Sequence, residues 1–141
     1  MGITFPSAGS YLFAVNWSNP ASPQLTVEKL PVEAAVFVRG IGGDWSDGAA
    51  NQMSYLGGGF YSLNKAVAAT ANEFKVASSD WATVNCGAGA AGDTVTVGTT
   101  LALACGDGTG NLKLTPAKAG TYTFTFKRID GASGQVTVTG P

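Results

Sequence analysis

Between Thr121 and Phe126 the chain reads Thr-Tyr-Thr-Phe-Thr-Phe, an aromatic residue at every second position and a threonine at every other. Successive side chains of a strand point to opposite faces, so this segment buries one face and wets the other only as a β-strand. Val136 and Val138 alternate in the same way with Thr137 and Thr139, Val36 and Val38 with Phe37 and Arg39, and Phe74 and Val76 with Lys75 and Ala77. Residues 94–97 (Thr-Val-Thr-Val) and 101–104 (Leu-Ala-Leu-Ala) read as a further pair around the turn at Gly98-Thr99-Thr100. The clusters Gly42-Gly43-Asp44, Gly57-Gly58-Gly59 and Gly106-Asp107-Gly108 punctuate these runs. Many short strands separated by glycine turns predict an all-β fold, an immunoglobulin-like antiparallel β-sandwich. The one stretch with a helical pattern, residues 66–72, is too short to hold as a helix.

The length of 141 residues suits one domain, or one domain with a fragment of another. Charged residues make up 12%, about half the usual share, and the net charge is −1. A chain so poor in basic residues has no field to hold nucleic acid and no cationic helix to lie on a membrane. No apolar run is long enough for a membrane span. At the N-terminus, Met1-Gly2-Ile3 leads directly into strand-like sequence, with no leader pattern. A surface of Thr, Ser, Asn and Gly is the composition of extracellular β-proteins, so the expected location is secreted, periplasmic or on the cell surface.

The chain also repeats itself. Residues 8–13 (Ala-Gly-Ser-Tyr-Leu-Phe) match 119–124 (Ala-Gly-Thr-Tyr-Thr-Phe), and 22–27 (Ser-Pro-Gln-Leu-Thr-Val) match 133–138 (Ser-Gly-Gln-Val-Thr-Val). Both matches share one spacing: Gln24 and Gln135 stand 111 positions apart, as Phe13 and Phe124 do. A gapless offset of domain length predicts a tandem array. Residues 1–30 are then the closing hairpin of a preceding repeat, and 31–141 a complete module joined at Lys29-Leu30-Pro31. The alternative is one domain with two similar hairpins or extra N-terminal strands.

Few residues offer chemistry. The absence of histidine removes Ser-His-Asp and Cys-His catalysis and every histidine-based metal site. The carboxylates are Glu28, Glu33, Asp44, Asp47, Glu73, Asp80, Asp93, Asp107 and Asp130, and nothing in their spacing pairs two of them for acid–base work. Most stand in glycine turns, where Asp bonds its own backbone. The chain is therefore expected not to be an enzyme and to need no cofactor. Residues 107–111 (Asp-Gly-Thr-Gly-Asn) carry oxygens at alternate positions like a calcium loop, but lack a closing acid and read equally as a hairpin turn. No metal is assigned. Cys86 and Cys105 flank a strand–turn–strand segment, so antiparallel pairing would let them bridge; otherwise they are two buried thiols.

Trp45 follows the Gly42-Gly43-Asp44 turn, and Trp81 follows Ser78-Ser79-Asp80. A tryptophan at a polar turn either exposes an indole face or folds back to cap the sandwich. An exposed indole matches the flat C–H face of a sugar ring in size and polarity. Lys75, on the polar phase of its strand, would then be a donor to sugar hydroxyls.

Residues 36–45 (Val-Phe-Val-Arg-Gly-Ile-Gly-Gly-Asp-Trp) resemble the opening strand and tryptophan turn of starch- and glycogen-binding carbohydrate-binding modules. Residues 73–81 (Glu-Phe-Lys-Val-Ala-Ser-Ser-Asp-Trp) resemble that family's second signature, an aromatic-Lys-aliphatic strand leading to a tryptophan turn. Residues 59–63 and 119–124 look like its intervening and penultimate strands. The likeness is greatest to modules found in tandem in bacterial pullulanase-type and other secreted α-glucan-degrading enzymes. It implies a non-catalytic module that binds starch, glycogen, pullulan or maltooligosaccharide for an attached catalytic or neighbouring module. Trp45 and Trp81 would be the stacking platform, with Lys75 and the loop residue Asn111 as polar contacts. Gly43-Asp44 stands where the family has Asn before the first tryptophan, and the 86–105 segment is a longer insert. The rival readings are a structural spacer without sugar binding, and a binder of another glycan.

Overall fold

Antiparallel pairing organises both compact units of the chain, residues 1–33 and 34–141. The computed structural model describes residues 11–29 and 35–141. In the first unit, β1 (Tyr11–Asn16) pairs with β2 (Gln24–Lys29), with Phe13 opposite Val27 and Val15 opposite Leu25. The connecting turn is closed by the Ser22 N–H on the Asn19 carbonyl (3.0 Å) and by Asn16 and Asn19 side chains that accept from the Ser18 and Ala21 amides.

The second unit contains β3 (Val36–Arg39), β4 (Ser54–Gly57), β5 (Phe60–Val67), β6 (Asn72–Ser78), β7 (Asn85–Gly87), β8 (Thr100–Cys105), β9 (Leu112–Leu114), β10 (Gly120–Arg128) and β11 (Ser133–Thr139). They run in the order β3-β6-β7-β8-β11-β10-β5-β4, with β9 also on β6. The rolled sheet brings its two edges together: Phe37 of β3 bridges Gln52 ahead of β4, and the Met53 N–H donates to the Val36 carbonyl at 2.8 Å. This is an all-β antiparallel sandwich, with no α-helix among the described residues.

The period-2 alternation decides what fills it. Tyr122, Phe124 and Phe126 of β10 and Val136 and Val138 of β11 are at most 1% exposed and meet Val36, Val38, Phe74, Val76 and Tyr61 in one core. Phe74 packs edge-on to Phe124, with centroids 5.5 Å apart at 84°. Each such side chain contributes about 1.5–3 kcal/mol by leaving water.

Two expectations change. Lys75, expected on the polar phase of its strand, is buried, and Arg39, Phe37 and Ala77 are buried along with the core phase of theirs. The turns after β3 and β6 and the loop before β9 fold over that outer face. Residues 94–97 do not form a hairpin with β8. Both edges of β8 are already taken, by β7 and β11. Residues 93–95 lie along β9 instead: the Val95 N–H donates to the Lys113 carbonyl (2.8 Å), and the Lys113 N–H to the Asp93 carbonyl (2.7 Å). Cys86 and Cys105 form a disulfide between directly opposed residues of β7 and β8.

Candidate functional site

β3 and β6 pair with Val36 opposite Ser78 and Arg39 opposite Lys75. Their outer face carries the two tryptophan turns. After β3 the chain leaves through Gly40 (φ 116°) into the 3₁₀ turn Ile41–Gly43. The Gly40 N–H donates to the Asp44 carbonyl at 2.7 Å, closing a loop that returns Trp45 onto Gly40 itself. A Cβ at Gly40 would stand 2.8 Å from the Trp45 ring and 2.4 Å from the Glu73 carbonyl, so only glycine fits under this indole.

Trp45 is clamped on both sides. The side-chain amide of Asn51, fully buried, donates to the Asp44 carboxylate (2.9 Å) and the Ser46 carbonyl (3.0 Å), and its oxygen accepts from the Lys65 ammonium. Hydrogen bonds from the Ser46 hydroxyl, the Asn51 amide and the Ser46 N–H hold the Asp44 carboxyl down at about 2, against 3.8 ordinarily.

The Trp81 turn closes with the Trp81 N–H on the Ser78 carbonyl at 3.2 Å. Trp81 has φ 56°, the one non-glycine among the described residues at positive φ. A bulky L-residue there stores roughly 1–2 kcal/mol of strain, which the surroundings must offset. The Asp80 carboxylate supplies part of that, accepting from the Ser78 and Thr83 hydroxyls and the Thr83 and Ala82 amides. The same bonds, Ser78 first, hold its pKa well below the usual carboxylate range.

Arg39 joins the two turns. Its Nε donates to the Trp45 carbonyl (2.7 Å) and Nη1 to the Ser78 (3.0 Å) and Ser79 (3.4 Å) carbonyls. Its guanidinium carbon lies 3.9 Å from the centroid of the Trp81 ring. The two indoles stand 6.4 Å apart, inclined at 35°. Both are partly exposed, and neither belongs to the core.

Beside Trp45 runs a groove of about 450 Å³ between residues 40–45 and the β5–β6 connection with the start of β6, residues 68–73. Asn72 fixes that connection, donating to the Thr70 carbonyl (2.7 Å) and accepting from the Gly42 N–H (3.3 Å). Glu73 lines the groove, and its carboxylate accepts from the exposed Asn111 side chain at 3.1 Å. Asn111 is thus brought to the Trp45 groove through Glu73. The Lys75 ammonium is committed elsewhere: it donates to the carbonyl and hydroxyl of Thr109, both at 2.8 Å. Burial lowers its pKa, opposed by attraction to Asp107. It pins the 107–111 loop to the sheet, and Gly87 permits the approach, since a Cβ there would stand 2.1 Å from the Gly110 carbonyl. A cation therefore already takes the oxygens of Thr109 that a calcium loop would offer.

Arg39, Asn51 and Glu73 had no signal as site residues in the sequence beyond their neighbours. A charged residue inside an apolar strand, directly ahead of a glycine turn, is the pattern that marks Arg39.

No protein-family model matches the chain, and no curated protein matches it. A solved structure described as "Ligand induced structure of AmyP-SBD" is similar to it, at 24% identity and a TM-score of 0.59, covering 99% of this chain and 93% of that one. At that identity, the likeness is one of fold.

Proposed function

We propose that this chain is a non-catalytic carbohydrate-binding module that takes α-glucan on Trp45 and Trp81. The observation that carries the reading is the indole pair. Two partly exposed rings 6.4 Å apart and inclined at 35°, outside the core and locked by Arg39, make a shallow angled platform for neighbouring sugar units of a curved chain. The strain held at Trp81 favours a role beyond packing, because a structural cap would form as well on a relaxed backbone. Glu73 and Asn111, at the Trp45 groove, offer an acceptor and a donor for hydroxyls. The AmyP-SBD structure, a starch-binding domain, supports the ligand class. Binding would hold polymer near an attached catalytic or neighbouring module and raise its local concentration. The Cys86–Cys105 disulfide fits an oxidising compartment, in keeping with secretion.

The test is calorimetric titration with maltoheptaose and co-sedimentation with starch granules for the parent, Trp45→Ala and Trp81→Ala. Each substitution is expected to weaken binding at least tenfold, a loss of about 1.4 kcal/mol, with the fold intact by circular dichroism. Undiminished binding by both variants would overturn the reading.

A further inference from the structure

The hairpin β1–β2 reproduces β10–β11 in register as well as in sequence. Leu12 pairs with Glu28 as Thr123 with Thr139, Phe13 with Val27 as Phe124 with Val138, and Val15 with Leu25 as Phe126 with Val136. Ala14–Thr26 and Asn16–Gln24 likewise repeat Thr125–Thr137 and Lys127–Gln135, always 111 positions on. Sequence similarity alone does not require this. A one-residue slip would send every side chain to the other face.

The equivalent faces have different surroundings. Phe124, Phe126, Val136 and Val138 are fully buried, with β5 on the free edge of β10 and β8 on that of β11. Their counterparts Val15 and Leu25 are each 51% exposed, and Trp17, next in the same phase, is 63% exposed. The hairpin thus follows the register of a closing hairpin, with Val15 and Leu25 half exposed where Phe126 and Val136 are buried. An isolated two-stranded hairpin is marginal in water.

We propose that residues 11–29 are the closing hairpin of a second sandwich of the same plan. The face of Val15 and Leu25 receives the counterparts of β3–β9 from a module joined N-terminally, in an array with a 111-residue repeat. The occupant follows from the register: among the described residues, the surface that holds a hairpin of this register is the one that β5, β8 and the core offer to β10–β11.

The test extends the full chain. Residues 34–118 are fused directly ahead of Ala8, so that Lys118 joins Ala8 and the 111-residue spacing is kept. Amide hydrogen exchange is compared with that of the 141-residue chain. The expected result is a second folded module, with β1–β2 amides slowed at least 100-fold, and Val15→Asp unfolding that module while residues 34–141 keep their own transition. A fused segment that stays unfolded, with hairpin exchange unchanged, overturns the proposal. A second fusion carrying Val15→Phe and Leu25→Val gives the hairpin the core-facing residues of β10–β11, Phe126 and Val136: folding of that fusion alone, or of neither, also overturns it. So does a concentration-dependent mass of the unfused chain that Val15→Asp abolishes, which would put a second copy on this face instead.

Discussion

Replacing Arg39 separates the platform from the sandwich that carries it. Arg39→Met keeps the volume of the stem and removes the guanidinium. Two well-formed bonds disappear, Nε to the Trp45 carbonyl at 2.7 Å and Nη1 to the Ser78 carbonyl at 3.0 Å. The 3.4 Å contact to Ser79 is too long to count for much. A bond from a charged donor is worth about 1.5–3 kcal/mol and the stacking on Trp81 about 0.5–1 kcal/mol. The three contacts share one side chain and overlap, so the expected loss is about 3 kcal/mol, with a fall in Tm on the order of 10 °C. The freed tryptophans must also be ordered on binding, at about 0.5–1.5 kcal/mol each, so glucan affinity should fall about tenfold. Arg39→Lys keeps the charge but can neither hold two carbonyls in a planar fork nor lie flat on the indole, and should lose roughly half as much stability as Arg39→Met. Urea unfolding followed at the tryptophans, with maltoheptaose titration of each variant, reads both effects. Arg39→Met within about 0.5 kcal/mol of the parent and binding with equal affinity would refute the reasoning.

Gly40→Ala puts a methyl group against the Trp45 ring and the Glu73 carbonyl at positive φ; strain and overpacking together predict a loss of about 2–5 kcal/mol in urea unfolding, with weakened binding. Asp44 and Asp80 titrate below their unfolded values, so their stabilisation of the turns is complete above about pH 4 and is lost as the pH falls toward 2 and below. The near-UV circular dichroism of the tryptophans should therefore hold from neutral pH to about pH 4 and fade below it; a signal that fades between about pH 7 and 5 would contradict this. Reducing the Cys86–Cys105 bridge, which spans 19 positions, should cost about 3 kcal/mol by urea unfolding while leaving glucan affinity unchanged, since the bridge joins β7 to β8 rather than the two tryptophan turns.

Most of the sheet was legible because period-2 alternation is a local signal. β10 and β11 follow directly from Tyr122, Phe124, Phe126, Val136 and Val138. Residues 94–97 misled because alternation identifies a strand-like run without naming its partner, and the partner was decided by the edges of β8, which lie far away in sequence. Burial of Arg39 and Lys75 was illegible for a related reason: the segments covering them return from residues 45, 81 and 109, and no local pattern announces such a return. The tryptophans stood out because bulky aromatics beside polar turns are unusual. Arg39, Asn51 and Glu73 did not, since their roles arise only where the turns meet. The phase of β6 points to Lys75 as a donor to sugar hydroxyls, but the Thr109 loop takes two of its hydrogens.

The central claim concerns which surface meets sugar. Intrinsic fluorescence of a Trp17→Phe variant, which removes the 63%-exposed hairpin tryptophan, leaves only Trp45 and Trp81 to report. Titrated with maltoheptaose and separately with cellohexaose, it should show a saturable change with the α-glucan alone. A flat response to both sugars would contradict the account and leave Trp45 and Trp81 as a cap on the sandwich.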